Sequence, residues 1–585
     1  MYSIIPQPSQ LVPHEGQFTF RADTKFLILK ADSHLQLSED FHFAAHALTD
    51  IFIKSAGFIY EVNETTEQTN ESTTNTVIFE YSPDITNNEG YKLNISPNLI
   101  RIIGSTSSGL FYGTQTIRQL LPPDIERQQI VESRVIWTVP CLEIIDYPQY
   151  QYRGLMLDCS RHFSNAKTVM RYIDKLSYFK LNRFHWHLTD DQGWRIEIKA
   201  YPKLTEISAF RRGTKYSNTQ QEEMEEQEEE DKQQQLKDQK TDSSEQDEFN
   251  SDYIHEGKYG GFYSQEEIRE VVEFARRRFI TIIPEIEMPG HSLSVFAAYP
   301  QFSCKGASDD KAHFDVLPRW GIFRDVFCMR EETFQFLETV LTEVVSMFPY
   351  SQLIHIGGDE CPKDRWMTCQ FCKERAQQLK IDTSQLQTYF ENRIIKFVSE
   401  KLQRRVVGWD EIMNEQLPQD VVVMQWRGQG PENVDELMGH DTIYSPQSHC
   451  YFDYYQSQRS DEPHAIYGFL PLELVYQFDP LQLAGLRKDG LNESEKQGMK
   501  HILGGQGNVW REYFPNTSHT DYMIFPRACA LAETLWSPYA QKDYNNFRAR
   551  LNPIVARLEV MKVNYCNVSL IPQGPVEENQ VKEEK

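Results

Sequence analysis

Several things are scarce in this sequence. No apolar run approaches the roughly 20 residues that a membrane-spanning helix requires. Clustered basic residues are missing: 60 Lys and Arg stand against 85 Asp and Glu, a formal net charge of −25. Nucleic-acid phosphates and anionic membrane surfaces call for the opposite balance, so neither is an expected partner. Ten cysteines in 585 residues are too few for a disulfide-held scaffold. The start, MYSIIPQPSQLVPHEG, lacks a basic stretch followed by an apolar one, so no signal peptide is visible in it. Compartment is left open.

What is present divides the chain. Residues 1–147 mix β-rich runs (FLILK, TVIFEY, LIRIIG) with the stretch GLFYGTQTIRQLL. There Leu110, Phe111, Ile117, Leu120 and Leu121 recur at helical spacing, and LPPD stops the helix. This predicts a small α+β domain, in which nothing concentrates chemistry. From Tyr152 short apolar strands alternate with amphipathic helices, the pattern of a parallel sheet. Eight strands are predicted, at 153–158, 183–189, 280–286, 353–358, 405–410, 421–426, 441–446 and 501–510. Eight strands over some 390 residues fit an α/β fold of the (β/α)8 TIM-barrel type, spanning 148–545. A doubly wound open sheet would place a glycine-rich phosphate turn after its first strand, and CSRHFSNAKT is no such turn. The acidic segment 217–252 has almost no apolar residues, and the composition predicts a disordered loop inserted in the barrel domain. Residues 546–585 are expected to form a C-terminal helix and a disordered tail.

In such barrels catalytic groups sit where strands end, and these ends are heavily loaded. They carry Arg161, Asp190, Asp191, His291, Asp359, Glu360, Trp409, Asp410, Trp426, Tyr451, Asp453, Trp510 and Glu512. Aromatic rings stack on the apolar faces of sugars, while Arg and carboxylates bind vicinal hydroxyls. A buried carboxylic acid with a raised pKa can protonate a glycosidic oxygen, and Glu360 is the candidate. Asp359 and Glu360 are adjacent, however, and neighbours on an extended chain point to opposite sides. They are poorly placed to flank one bond as nucleophile and acid, about 5 Å apart. A substrate's own 2-acetamido oxygen can instead attack C1, with Asp359 orienting the amide and Glu360 serving as acid and then base.

At this point the residues resemble a known family. HIGGDE (355–360) is similar to the signature of the glycoside hydrolase family 20 β-N-acetylhexosaminidases. So are RGLMLDCSRHF (153–163), FHWHLTDDQGWRIEI (184–198), PEIEMPGHS (284–292), GWDEI (408–412) and QGNVWREYF (506–514). CYFDYYQ (450–456) and FPRACALAETLWS (525–537) look most like bacterial-type members. The resemblance implies retaining exo-hydrolysis of terminal β-linked N-acetylglucosamine or N-acetylgalactosamine. It implies Arg161 on O3 and O4, Trp409, Trp426 and Trp510 around the acetamido pocket, and Tyr451 on the acetamide carbonyl. Asp453 and Glu512 would hold O4 and O6, while Asp190, His291 and His355 would support the catalytic pair. No metal or organic cofactor is implied, and the implied partner is an N-acetylhexosaminide. Family members are often homodimers and usually secreted, periplasmic or lysosomal.

Two other readings compete. His185 and His187 have the spacing of a metal pair on one strand face, which His291, His355 and Asp410 could complete in a metal-dependent amidohydrolase or deacetylase. A non-catalytic sugar-binding protein would keep the aromatic pocket and lose the acid, but Glu360 is present. Glu285 and Glu287 receive no role. Cys304 and Cys328 flank one long loop and could pair. Cys361, Cys369 and Cys372 include a C-x-x-C, but a structural zinc needs four ligands and no fourth is near in sequence. They are read as a surface loop.

Overall fold

The computed structural model describes residues 2–30, 39–66, 74–131, 135–214, 253–255, 257–428 and 439–567. The predicted acidic loop 217–252 and the tail from 568 onward lie outside these residues. The first part of the chain folds into a seven-stranded mixed sheet. Its spatial order is Gln10–Thr19, Thr138–Asp146, Tyr91–Ile95, Leu99–Gly104, Thr76–Tyr81, Lys25–Leu29 and Val62–Thr65. Strand Leu99–Gly104 alternates half-buried and buried residues, the period of a pleated strand with one face on a core. That face packs on helices Glu39–Ser55 and Ser107–Leu120. Thr106 caps the second helix by accepting from the Gly109 amide, and Pro122 and Pro123 follow its end.

Eight parallel strands then close into a barrel in chain order: Tyr152–Asp158, Arg183–His187, Thr281–Glu285, Leu353–His355, Arg405–Trp409, Val422–Gln425, Thr442–Tyr444 and Ile502–Val509. All eight predicted strands are present. Strands buried on both faces need no polar alternation, which explains the continuous apolar runs. Side chains two apart share a face, so each strand sends a row into the lumen. The lumen floor is an apolar cluster of Tyr152, Ile283, Val407, Val422, Met424 and Ile443 with Trp409. Above it the register sets Glu285 level with His187 and His355, and charge enters the barrel there. Among the described residues, the connection between the fifth and sixth strands departs from strand–helix alternation. Between them stands only the 3-10 turn Asp410–Ile412.

The two parts share a buried polar junction. Asp146, at the end of the last sheet strand, accepts from Lys180 Nζ at 2.8 Å, Tyr91 OH at 2.7 Å and Trp536 Nε1 at 2.9 Å. Trp536 belongs to the hydrophobic core of the first part although it sits on a barrel helix, Arg527–Trp536. No helix among the described residues is long and apolar enough to cross a membrane.

Candidate active site

The strand ends open into a cavity of about 380 Å³, a size usual for small-molecule sites. Ten of the twelve residues given a site role from the sequence line it: Arg161, His291, Asp359, Glu360, Trp409, Trp426, Tyr451, Asp453, Trp510 and Glu512. The other two, Asp190 and His355, lie buried behind the wall. His291 was expected behind the pair as well, and instead forms part of the wall.

The fourth strand ends at His355, and the chain then turns through Gly357 and Gly358, with φ of +71° and +99°. Glycine is required at Gly357, where a Cβ would stand 1.8 Å from Glu287 Oε2. The turn delivers Asp359 and Glu360. Glu360 has φ +44° and His291 has φ +46°, so two residues with left-handed backbone face each other in the site. His291 Nε2 is 3.4 Å from Glu360 Oε2 and 3.9 Å from Asp359 Oδ2. The expectation of a buried acid is corrected here. The Glu360 side chain is 36% exposed and that of Asp359 15%, because the left-handed turn places Glu360 at the lip of the cavity. Burial, and then the nearby Glu411 and Glu360 carboxylates, push the Asp359 carboxyl up to about 8, against the opposing pull of His291.

His291 is held from behind. Its Nδ1 lies 2.9 Å from Asp191 Oδ2 and 3.5 Å from Asp190 Oδ1. These carboxylates and Glu360 raise its pKa well above the ordinary value despite burial, which favours the imidazolium form. Asp190 also accepts from His187 Nε2 at 2.9 Å and meets Arg161 NH2 at 2.8 Å. The Arg161 guanidinium is further fixed by Gln192 Oε1 at 3.0 Å and lies 5.0 Å over the Trp510 ring.

Four aromatic side chains face these charges. Trp409 donates to Glu285 Oε1 at 3.0 Å, and Trp426 to Glu411 Oε2 at 2.9 Å. The Trp426 and Tyr451 rings stack at 6.1 Å, and Trp409 and Trp510 tilt together at 5.8 Å. Opposite, Asp453 and Glu512 share one desolvated corner. Burial raises both, Glu512 to about 7 and Asp453 well above the usual range. Asp359 Oδ1, Asp453 Oδ1 and Glu512 Oε2 are buried oxygens with no hydrogen-bond partner. Native proteins rarely leave such acceptors unmet, and here three line one cavity.

The histidine pair His185 and His187 does share a face, yet it converges on a carboxylate. Glu285 is in short contact with His187 Nδ1 and lies 3.1 Å from His185 Nε2 and 2.7 Å from His355 Nδ1, which accepts from the Gly357 amide. His291 and Asp410 do not join them: His291 meets Asp190 and Asp191, and Asp410 accepts from Arg427 at 3.1 Å. The five-residue metal set of the amidohydrolase reading is therefore not assembled. Glu285 is pulled well below its usual pKa by these histidines, and it drives His187 up to about 10.

Sequence reasoning missed several lining residues. Trp320, Gly321 and Ile322 come from the long loop after the third strand, and Tyr454, Ile466, Tyr467 and Tyr513 from later loops. An isolated Trp in a loop carries no periodicity by which to place it. Glu285 and Glu287, left without roles, lie directly beneath the pair. Glu287 is buried with neither carboxylate oxygen bonded, and burial with Asp359 nearby raises its pKa well above the ordinary value.

The closed barrel thus carries an aromatic, carboxylate-rich cavity at its strand ends, where active sites of such barrels lie. Comparison with known proteins makes the class specific. The chain matches the catalytic domain of glycosyl hydrolase family 20 over residues 150–539 and domain 2 of that family over 1–147. It belongs to glycosyl hydrolase family 20. It is 37% identical to a beta-hexosaminidase of Porphyromonas gingivalis, covering 96% of this chain and 64% of that one. A Vibrio furnissii beta-hexosaminidase is 31% identical, over 91% and 76% of the two chains. Among solved structures, a family 20 exo beta-N-acetylglucosaminidase from Vibrio harveyi in complex with N-acetylglucosamine aligns with TM-score 0.76 and 30% identity, covering 96% of this chain and 78% of that one. A beta-N-acetylhexosaminidase from Streptomyces coelicolor A3(2) has the same fold at TM-score 0.75, with 22% identity over 97% of both chains.

Proposed function

We propose that the protein is an exo-acting β-N-acetylhexosaminidase that removes terminal, non-reducing β-linked N-acetylglucosamine or N-acetylgalactosamine with retention of configuration. The observation that carries this reading is the trio of unmet carboxylate oxygens, on Asp359, Asp453 and Glu512, around one aromatic cavity. Each is an acceptor waiting for a donor, and an N-acetylhexosamine supplies an amide N–H and several hydroxyls. Asp359 would take the acetamido N–H and turn the carbonyl oxygen onto C1. As the oxygen closes the oxazolinium ring, positive charge develops beside Asp359. Both the N–H bond and that charge favour the carboxylate form and pull its raised pKa down. Glu360, at the lip, would give its proton to the departing glycosidic oxygen. Its carboxylate would then take a proton from the water that reopens the ring at C1. Arg161, Asp453 and Glu512 would bind the ring hydroxyls, and Trp409, Trp426, Trp510 and Tyr451 would enclose the acetamide.

Residues 148–545 would act as the catalytic unit, with 1–147 packed against it, and a homodimer is the family expectation for assembly, measurable by light scattering. The proposed activity predicts rapid release of a chromogenic leaving group from the 2-acetamido β-glucoside or β-galactoside. The matching glucoside, which lacks the internal nucleophile, should be turned over at least several hundred-fold more slowly. Equal turnover of the two would overturn the reading.

A further inference from the structure

We infer that Cys304, Cys328, Cys369 and Cys372 form a four-thiolate site for one structural zinc ion. The inference stands apart from the glycosidase reading. It corrects two expectations from the sequence: the C-x-x-C is no surface loop, and Cys304 and Cys328 are no isolated pair. Cys304, Cys328, Cys369 and Cys372 are 3%, 0%, 5% and 0% exposed. Their sulfurs all lie within 4.8 Å of one another. Three separations are 3.6 Å (Cys304 to Cys372), 3.8 Å (Cys328 to Cys369) and 3.8 Å (Cys328 to Cys372). Zinc–sulfur bonds of about 2.3 Å in a tetrahedron place sulfurs about 3.8 Å apart. A disulfide would hold two of them at about 2.05 Å, and all four are free thiols. Cys361, nearby in sequence, is not part of the cluster.

The donor set names the metal. Four soft sulfurs in tetrahedral array, with no oxygen ligand, select zinc over calcium or magnesium. Four protein ligands leave no open position, which marks a structural site. Cys369 is the N-cap of helix Gln370–Leu379 and Cys372 lies in its first turn, so the positive helix end faces developing thiolates. Loading releases four protons: four thiols and one Zn²⁺ give a site of charge −2 and four H⁺.

The location gives the site a purpose. Cys304 and Cys328 belong to the loop after the third barrel strand, which also carries His291 and Trp320. Cys369 and Cys372 belong to the loop after the fourth, which carries Asp359 and Glu360. Otherwise these loops are joined by contacts such as Trp366 Nε1 to Phe327 O at 2.9 Å and Arg365 to Asp325 at 2.9 Å. A zinc would rivet the two loops and so fix His291 against Glu360.

The test uses the full chain, produced with zinc in the medium and purified under reductant without chelator. Elemental analysis should give one zinc per chain, and zinc-edge X-ray absorption should give four sulfurs at about 2.3 Å. Cys369→Ser and Cys372→Ser should lose the metal, while Cys141→Ser, a buried thiol of the first part, should keep it. If the serine variants do not fold, the X-ray absorption of the unaltered chain decides alone. Stripping zinc should lower the melting temperature. A metal-free chain at saturating zinc, iron in place of zinc, zinc bound through nitrogen or oxygen, or a mass lighter by four hydrogens from two disulfides would overturn the assignment.

Discussion

Asp359 carries opposing demands. The fold buries it among carboxylates, and the reaction needs its charge. In the unfolded chain it titrates near the ordinary Asp value, whereas in the fold it is pushed up to about 8. The fold thus binds this proton more tightly than the unfolded chain does. Stability is therefore lost as pH rises from about 4 through about 8. Asp359→Asn removes that titration. The variant should melt higher than the parent at pH 8, with the gap closing toward pH 5, while its kcat falls; calorimetry and a chromogenic assay read the two effects. Glu360→Gln should cut kcat by roughly 10²–10⁴ with little change in melting temperature, because its side chain is 36% exposed. His291→Gln removes a group 3.9 Å from Asp359 Oδ2 that pulls the Asp359 pKa down. Asp359 must be a carboxylate to hold the acetamide, and without that pull it titrates higher, so the acidic limb of the kcat/KM profile should move to higher pH. An unmoved limb would assign His291 a packing role only. Ten of the twelve expected residues meet at one cavity because strand ends are legible. Glu360's exposure was not legible, since a left-handed turn leaves no trace in apolar periodicity.

The element that sets the site is the turn after the fourth strand. Gly357 touches Glu287, and Gly358 has Ile412 within 2.5 Å of where its Cβ would be. Gly357→Ala forces a side chain into positive φ and against Glu287. We expect a loss of about 1–3 kcal/mol in denaturant unfolding, with a larger fall in kcat than in KM, because Asp359 and Glu360 ride on the displaced backbone. All eight barrel strands were readable from runs of apolar residues bounded by turn signals. The loops were not. Trp320 reaches the cavity from a long loop whose path is fixed by tertiary contacts such as Phe327 N to Pro289 O at 3.1 Å. Cys304 meets Cys372 across 68 positions of chain, a distance over which spacing motifs are silent.

At the scale of the whole molecule, the sheet and the barrel are locked by Asp146. Lys180 is fully buried against it, and burial lowers the Lys180 pKa. Asp146→Ala leaves that ammonium uncompensated and should cost about 3–5 kcal/mol. Adding Lys180→Met should restore much of the loss, as replacing a whole buried pair usually costs less than breaking one. The acidic balance read from composition recurs in the cavity, where Asp359, Glu360, Asp453 and Glu512 outnumber Arg161 and His291. The central claim concerns the origin of the attacking atom. It is tested most directly with one aryl leaving group on glucosaminides whose N-acyl group carries zero, one, two or three fluorines. Fluorine drains the carbonyl oxygen of nucleophilicity, so kcat should fall steeply and in order along the series. A flat series, or a glycosyl ester trapped on a side chain of the protein, would contradict the account.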